Sequence, residues 1–355
     1  MINIVSPINQ LGYGITSLNI VKSLSKITSV SLWPIGQPQV TNQEDANIIS
    51  SAIKNGQFTK FDAPCIKIWH QNDMTQFVGF GKRIGFPIFE LDKFNDLEKH
   101  HLNSLDKIFV CSEWAKTVIV NETILDDKNV HVIPLGVNTD IFKPSPYPNT
   151  KTTRFFNCGK WEIRKGHDIL VELFNEAFET QDDVELILMC DNPFYSKEEQ
   201  EKWEKLYLNS KLGDKIRIIP RQSTQEEVYS IMAQTHCGVF PSRAEGWNLE
   251  LLEMMACGKH VITTEYAAHT EFCNGNNAHL TKISSHELAN DGKWFYGQGN
   301  WAKIGPQEKA SMIEHMRLIH NMHKNNALSI NTHGIDTANT FTWNNSARKI
   351  LTNVF

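Results

Sequence analysis

The sequence of 355 residues contains no long apolar run and no recognisable secretion signal. A membrane-spanning helix needs roughly 18–20 consecutive apolar residues, and no stretch approaches that length. Near the N-terminus, polar residues and a proline interrupt the apolar core that a signal peptide requires; they are Asn3, Pro7, Asn9 and Gln10. We therefore expect a cytoplasmic, globular protein.

Cysteine is scarce, and its spacing shows no pairing pattern. The seven cysteines form no C-x-x-C motif and lie far apart; they are Cys65, Cys111, Cys158, Cys190, Cys237, Cys257 and Cys273. This distribution predicts free thiols in a reducing compartment rather than a disulfide framework. The net charge of −5 provides no overall attraction to nucleic acid or anionic membranes, although a local basic groove is compatible with it.

The chain also lacks the complete glycine fingerprint of a dinucleotide-binding enzyme. The loop after the first predicted strand reads QLGYGITS, which supplies Gly12 and Gly14 but places Ser17 where the third glycine would stand. A lone Gly-x-Gly is a weak signal, and the full fingerprint with an acidic residue ~20 positions further on is not found. A nicotinamide-dependent dehydrogenase is therefore disfavoured.

Short strand-like runs alternate with helix-like periods, and this rhythm occurs twice along the chain. It predicts an α/β protein with two Rossmann-like domains, each a doubly wound parallel sheet; one of the predicted strands covers 84–89. Three prolines within Pro144–Pro148 predict the linker. We expect domains over 1–150 and 151–340 with a ligand cleft between them, and one amphipathic helix over 341–355.

Two carboxylates stand in and after a glycine loop, FPSRAEGWNLELLE. A buried strand is predicted to end at Phe240 and a helix to start at about Asn248, with Glu245 in the loop and Glu253 in the helix. Carboxylates accept hydrogen bonds from sugar hydroxyls, and the peptide N–H groups at a helix start bind anions. The alternative is that Glu245 caps the helix and Glu253 lies on a solvated face.

Basic residues occupy an earlier loop within the stretch FFNCGKWEIRKGHDILVELF. This loop follows a strand that is predicted to end at Gly159. Lys160, Arg164 and Lys165 stand just before the next helix, where they suit a diphosphate whose charge they would neutralise as it departs. The alternative is a solvated basic loop without a ligand.

These two stretches together resemble the retaining glycosyltransferases of the family 4 type, which have the GT-B fold. The family signature, two glutamates separated by seven residues, is present as Glu245-GWNLELL-Glu253. Its glycine-basic loop is present as Gly159 to Gly166, with Lys160 where the family usually has arginine. The segments ACGKHVI, HTEF and IPLGVNTDIFKP are also similar to the family, and the resemblance is strong over about 105–275.

The resemblance implies a role for each matching residue. Lys160 and Lys165, with Arg164 beside them, would hold the diphosphate of a UDP- or GDP-sugar, and Glu253 would bind the ribose hydroxyls. Glu245 would hold the donor sugar together with the backbone of the following residues, Gly246, Trp247, Asn248 and Leu249. The family needs no bound metal, and its terminal helix crosses back onto the first domain.

In the first half, the resemblance points to His70 and to the glycine loop. His70 matches the family's histidine beside the donor sugar, where it would donate or accept a hydrogen bond, and the alternative is a core histidine. Gly12 and Gly14 would approach the donor phosphates or the acceptor. The catalytic candidates are therefore Lys165, Glu245, His70 and Lys160.

The sequence leaves the roles of two segments and the identity of the acceptor undecided. In 74–94, Phe77, Phe80 and Phe86 are expected to pack into the core, with an acceptor platform as the alternative because Lys82 and Arg83 are adjacent. The segment 291–304 has two tryptophans and is a packed loop or a stacking surface. A saccharide, a lipid-linked glycan and hydroxymethylated DNA are all compatible acceptors, and a non-catalytic sugar-nucleotide-binding protein is the alternative to an enzyme.

Overall fold

The computed structural model describes all residues from 1 to 355. Fourteen strands run along the chain: β1 (Ile2–Ser6), β2 (Val30–Pro34), β3 (Cys65–Lys67), β4 (Arg83–Gly85), β5 (Lys107–Val110), β6 (Val130–Val132), β7 (Thr153–Gly159), β8 (Val184–Cys190), β9 (Ile216–Ile218), β10 (Cys237–Phe240), β11 (His260–Glu265), β12 (His279–Lys282), β13 (His286–Asn290) and β14 (Tyr296–Ala302).

Twelve α-helices alternate with these strands: α1 (Gly12–Ser25), α2 (Gln43–Lys54), α3 (Asp96–Asn103), α4 (Glu113–Glu122), α5 (His167–Ala177), α6 (Lys197–Leu208), α7 (Gln225–Ala233), α8 (Leu249–Ala256), α9 (His269–Phe272), α10 (Pro306–Lys324), α11 (Thr332–Thr340) and α12 (Trp343–Val354). None of these helices has the length and apolar content required to cross a bilayer.

Contacts divide the chain into two compact units. The first contains Met1–Gly136 together with Thr340–Phe355, and the second contains Val137–Asn339. The first unit has a parallel sheet in the order β2-β1-β3-β4-β5-β6. The direction of strand addition reverses between β1 and β3, and in such a sheet the crevice at the carboxyl ends of these two strands is where ligands bind.

Helix α12 packs on the first unit. Its apolar face buries Trp343, Ala347 and Ile350, and the hydroxyl of Ser346 donates to the carbonyl of Pro134 at 2.6 Å. Gly136 is required at this contact, since a Cβ there would lie 2.2 Å from the backbone nitrogen of Trp343.

The second unit has a parallel sheet in the order β12-β11-β10-β7-β8-β9. Large apolar side chains from β7, β8, β10 and α5 fill its core, among them Phe155, Leu186, Val239 and Phe174. Here the order reverses between β7 and β10, so the loops that follow these strands meet at one edge of the sheet. The prediction of two doubly wound parallel sheets is confirmed.

Several local predictions differ from the structure. The strand expected over 84–89 is short, β4, because Pro87 follows and cannot donate to a ladder. The segment 291–304 belongs to an antiparallel hairpin, β13–β14. Phe86 is buried as expected, but Phe80 is 81% exposed, so its predicted core position is wrong.

The proline-rich segment Pro144–Pro148 packs on the second unit instead of forming a free linker. Lys259 is fully buried and donates to the carbonyls of Ser145 (3.2 Å) and Pro146 (3.1 Å). A third bond goes to the carbonyl of Ala233 at 3.1 Å, and burial lowers the pKa of Lys259 to about 8. All seven cysteines are buried and free, as predicted.

Gly166 brings the loops after β7 and β10 into contact. It precedes α5 with a φ of +78°, and a Cβ there would lie 2.0 Å from the carbonyl oxygen of Pro241. Only glycine combines this backbone conformation with so close an approach.

We expect Gly166→Ala to lower the free energy of unfolding by about 3 kcal/mol or more, because the methyl group adds a backbone clash to the left-handed strain. Gly292→Ala is the matched control, since Gly292 has a φ of +70° but open space around it. That control should cost only about 1 kcal/mol. Equal losses in the two variants, measured by urea unfolding, would show that the contact with Pro241 is unimportant.

Candidate functional site

Two loops form the candidate site of the second unit. The first, 160–166, follows β7, and the second, 241–248, follows β10. Besides the contact at Gly166, the backbone N–H of Arg243 donates to the carbonyl of Arg164 at 2.7 Å. The two loops are therefore held together by their main chains before any side chain is considered.

Five side chains in these loops form a chain of alternating charges. Lys160 lies 2.8 Å from Glu162, whose other oxygen lies 2.6 Å from Arg164. Arg164 in turn lies 2.8 Å from Glu245, whose second oxygen lies 3.0 Å from Lys165. The order is cation, anion, cation, anion, cation, with a net charge of +1 and a lysine at each end.

The exposed fractions of the side chains divide this network into an interior and two ends. Glu162, Arg164 and Glu245 are 4%, 5% and 6% exposed, whereas Lys165 is 12% and Lys160 is 37% exposed. The three interior members bind each other, which leaves the terminal lysines as the groups with capacity for an anion. The alternative of a solvated basic loop is wrong, because Arg164 and Lys165 are buried in ion pairs.

Mutual pairing keeps these buried groups charged. Burial alone would raise the pKa of Glu245, but Arg164 and Lys165 outweigh it and hold that pKa well below its usual value. Burial alone would lower the pKa of Lys165, but Glu245 and then Glu250 more than offset it and hold that pKa well above its usual value. The network therefore keeps its charges throughout the physiological pH range.

A neutral histidine, His167, holds the first loop in position through hydrogen bonds. The Nδ1 atom of His167 accepts from the backbone N–H of Glu162 at 3.1 Å, and its Nε2 lies 2.9 Å from Oδ1 of Asn157. Burial lowers the pKa of His167 to about 3, so the ring stays neutral with one acceptor and one donor nitrogen. His167 thus sets the position of Glu162 within the network.

Asn248 fixes the second loop. It adopts a left-handed conformation with a φ of +85°, its Oδ1 accepts from the N–H of Leu251 at 3.2 Å, and its amide lies 3.0 Å from Nε2 of His269. Burial lowers the pKa of His269 to about 4, so this ring is neutral and accepts. Asn248, and not Glu245, is therefore the residue that caps α8.

Arg243 connects both loops to the hairpin. Its guanidinium makes a two-pronged ion pair with Asp168 at 2.8 Å for each bond, and it also donates to the carbonyl of Ile163. Its carbonyl accepts from the N–H of Ala302 in β14 at 2.9 Å, and its Nε lies 3.4 Å from Glu287 in β13. A planar guanidinium can serve Asp168, Ile163 and Glu287 together, and a lysine cannot.

Glu253 differs from Glu162 and Glu245 because its side chain has no partner in the protein. It is 8% exposed, so the alternative of a solvated helix face is wrong, and no hydrogen bond or ion pair engages its side chain. Burial, and then the charge of Glu250, raises the pKa of Glu253 to about 8. A buried carboxylate without a donor in the protein is suited to accept hydrogen bonds from a ligand.

The charges of Glu253 and Lys165 both act on the thiol of Cys158, near the carboxyl end of β7. Burial raises the pKa of the Cys158 thiol in β7, Glu250 and Glu253 raise it further, and Lys165 lowers it.

Of the other predicted donor-site residues, Gly246 and Trp247 are buried, with the Trp247 ring 4.8 Å from that of Phe272, and Leu249 is half-buried at the start of α8.

Aromatic side chains border the exposed end of the network. The ring of Phe194 lies 5.6 Å from Nζ of Lys160 and 6.0 Å from the ring of Trp294. The two rings are 56% and 46% exposed. The hairpin that carries Trp294 therefore places an open aromatic surface beside Lys160.

The remaining sequence candidates lie in the first unit, at the reversal between β1 and β3. Gly12 starts α1, and a Cβ on Gly14 would lie 2.2 Å from Oδ1 of Asn9. His70 is exposed, with its ring 4.7 Å from that of Tyr13 and 4.8 Å from that of Trp69, so the alternative of a core histidine is wrong. No group of three His, Cys, Asp or Glu side chains in the chain could hold a metal ion.

Sequence reasoning did not assign Glu162, His167, Arg243 or His269. The alternation of charge in KWEIRK was a usable signal for Glu162, and the Arg in PSRAEG was a usable signal for Arg243. Nothing in the sequence marks the two histidines as neutral anchors, because that role depends on burial and on partners distant in the chain.

Replacing Glu253 by glutamine tests its unusual titration. In the folded protein the pKa of Glu253 is about 8, so the side chain stays protonated below that pH. In the unfolded chain the same carboxyl group has a pKa of about 4.5. The wild type therefore loses stability as the pH rises between these values. Glu253→Gln should be more stable than the wild type by about 3–5 kcal/mol at about pH 8 and by little at about pH 5.

Urea unfolding across this pH range measures the difference, and Glu226→Gln, at an exposed carboxylate, should follow the wild type. A difference between Glu253→Gln and the wild type that does not change with pH would contradict the raised pKa.

The sequence of residues 138–292 matches the family model described as "Glycosyl transferases group 1". A probable sucrose-phosphate synthase of Thermosipho melanesiensis is 29% identical over 163 residues, which cover 44% of this chain and 37% of that protein. A phosphatidylinositol N-acetylglucosaminyltransferase component of Arabidopsis thaliana is 25% identical over 193 residues, which cover 52% and 42%. The chain thus spans about two-fifths of the length of each of these relatives.

The structure is also similar to the solved structure of another protein. Anabaena HepE, in complex with UDP and glucose, matches with a TM-score of 0.69 over 99% of this chain and 98% of that chain, at 13% identity. At this identity the likeness establishes the fold, which is the GT-B fold with two Rossmann-like domains.

Proposed function

We propose that this chain, whose residues 138–292 match the family model described as "Glycosyl transferases group 1", is a retaining glycosyltransferase. It would transfer a hexose from a UDP- or GDP-sugar to a hydroxyl group of an acceptor. The observation that carries the proposal is the network with a lysine at each end, in a unit that also holds a buried carboxyl group, Glu253, without a partner in the protein.

The two terminal lysines would bind the donor diphosphate. Each has a single carboxylate partner, so each ammonium group keeps donors for phosphate oxygens. Arg164 is engaged at both sides by Glu162 and Glu245. Its part in donor binding is therefore to hold the network in place, and the direct phosphate contacts fall to Lys160 and Lys165.

Glu253 would bind the ribose. Ribose hydroxyls donate hydrogen bonds, and a buried carboxylate without a donor gains most from such a ligand. Both oxygens of Glu245 are already engaged, by Arg164 and by Lys165 and Ser242. Its contribution to sugar binding would then come through the loop that it anchors, whose backbone leads from Gly246 to the start of α8.

The transfer would proceed on one face of the sugar. The bond from the anomeric carbon to the diphosphate oxygen breaks, the acceptor oxygen bonds to that carbon on the same face, and the acceptor proton passes to the departing diphosphate. Lys160 and Lys165 stabilise the charge that develops on the leaving group, so catalysis rests on positioning and electrostatics.

The comparisons guide the choice of substrates. HepE was solved with UDP and glucose, which makes a UDP-hexose the first donor to test. One relative is named for transfer of N-acetylglucosamine to phosphatidylinositol, which favours a lipid-linked acceptor among those considered. Hydroxymethylated DNA is the second acceptor class for the assay.

Thermal stabilisation by nucleotide sugars tests the donor. A UDP- or GDP-hexose present at about 100 times its dissociation constant should stabilise the protein by about 2.7 kcal/mol. Stabilisation by neither series, together with no hydrolysis or transfer of either donor, would contradict the proposed function.

Lys165→Ala tests the leaving-group contact. We expect turnover to fall about 10²–10³-fold with the fold intact, because one charged contact to the leaving group is lost. Lys303→Ala, at an exposed lysine of the same unit, should keep the wild-type rate. Full turnover in purified Lys165→Ala would remove this lysine from the mechanism.

A further inference from the structure

Three phenylalanines project into solvent from neighbouring loops of the first unit. Phe58, Phe61 and Phe80 are 77%, 59% and 81% exposed. Single exposed apolar residues are ordinary, but a group of large ones marks an interaction surface. The patch lies outside the candidate site, since Phe61 and Phe80 precede β3 and β4 and so stand at the amino edge of the sheet.

The patch is held rigidly by its backbone. The N–H of Phe80 donates to the carbonyl of Phe61 at 2.8 Å. Gly79 has a φ of +79°, and a Cβ there would lie 2.2 Å from the same carbonyl oxygen. The exposed rings therefore stand on two loops that are joined to each other.

Basic residues flank these phenylalanines along the chain. The segments 54–62 and 79–83 contain four basic residues, Lys54, Lys60, Lys82 and Arg83, and a single acidic one, Asp62. All four basic residues are exposed. These segments sum to +3, and Asp106, which lies 4.0 Å from Arg83, lowers the local net charge to +2, opposite in sign to the −5 of the whole chain.

We propose that this aromatic-basic patch binds the surface of an anionic lipid bilayer. Aromatic and apolar tips enter the boundary between headgroups and acyl chains, while lysine and arginine reach the negative headgroups. A protein partner fits less well, because lysine is depleted in protein–protein interfaces. The proposal does not depend on the transferase activity.

Vesicle co-sedimentation with the full chain tests the proposal. The protein should bind vesicles of phosphatidylcholine mixed with phosphatidylglycerol, bind vesicles of phosphatidylcholine alone much more weakly, and dissociate at high salt. Lys54→Ala and Lys60→Ala should each weaken binding about fivefold. Phe61→Ser combined with Phe80→Ser should abolish binding without changing the thermal melting temperature.

Ile124→Ser is the matched control, because Ile124 is also 81% exposed in the same unit but lies outside the patch, and it should bind like the wild type. Absence of vesicle binding by the wild type overturns the proposal, as does binding that the paired phenylalanine substitutions leave unchanged. A dimer, or a complex with single-stranded DNA, that these substitutions disrupt while vesicles are not bound would assign the patch to that partner instead.

Discussion

The ion pairs of Glu245 with Arg164 and Lys165 are the interaction on which the candidate site depends. They join a loop that follows β7 to a loop that follows β10, and they do so where the sheet order reverses. A buried cation or carboxylate is costly alone, so each of the three is stable in this buried position because the others compensate its charge. The network converts two separate loops into one rigid, cationic surface.

This arrangement separates residues that hold the site from residues available to a ligand. Arg164, Glu162 and Glu245 are occupied by each other, and the neutral rings of His167 and His269 position the two loops. Lys160, Lys165 and Glu253 keep bonding capacity. The sequence motif contains a member of each group, Glu245 and Glu253, and does not distinguish them, since a motif records which residues are required and not whether they touch the ligand.

Much of the fold could be predicted from the sequence. The alternation of strands and helices predicted two parallel sheets, because that rhythm depends only on local periodicity. The short β4 and the exposed Phe80 were not predicted, since periodicity indicates apolar content and not whether a partner covers it. The packing of Pro144–Pro148 against Lys259 was equally invisible, because it depends on residues more than a hundred positions apart.

Part of the membership of the candidate site could be predicted from the sequence, but the contacts among its residues could not. Lys160, Lys165, Glu245 and Glu253 follow from loop and motif position. Only the three-dimensional contacts show that Glu245 is the counter-ion of Arg164 and Lys165. They also show that Glu253 has no partner. Asn248 shows the same limit: the sequence predicted that the helix starts at about this residue, and asparagine tolerates a left-handed backbone, but its contact with His269 follows only from the structure.

The most direct test of this account is the affinity of Glu245→Gln for inorganic diphosphate, measured by titration calorimetry. Diphosphate carries no sugar, so the experiment isolates the effect of Glu245 on the lysines. Without this carboxylate, burial disfavours the charge on Lys165, and we predict binding about tenfold weaker than in the wild type even though a negative charge has been removed. Equal or tighter binding would show that Glu245 merely repels the anion, and it would contradict the account.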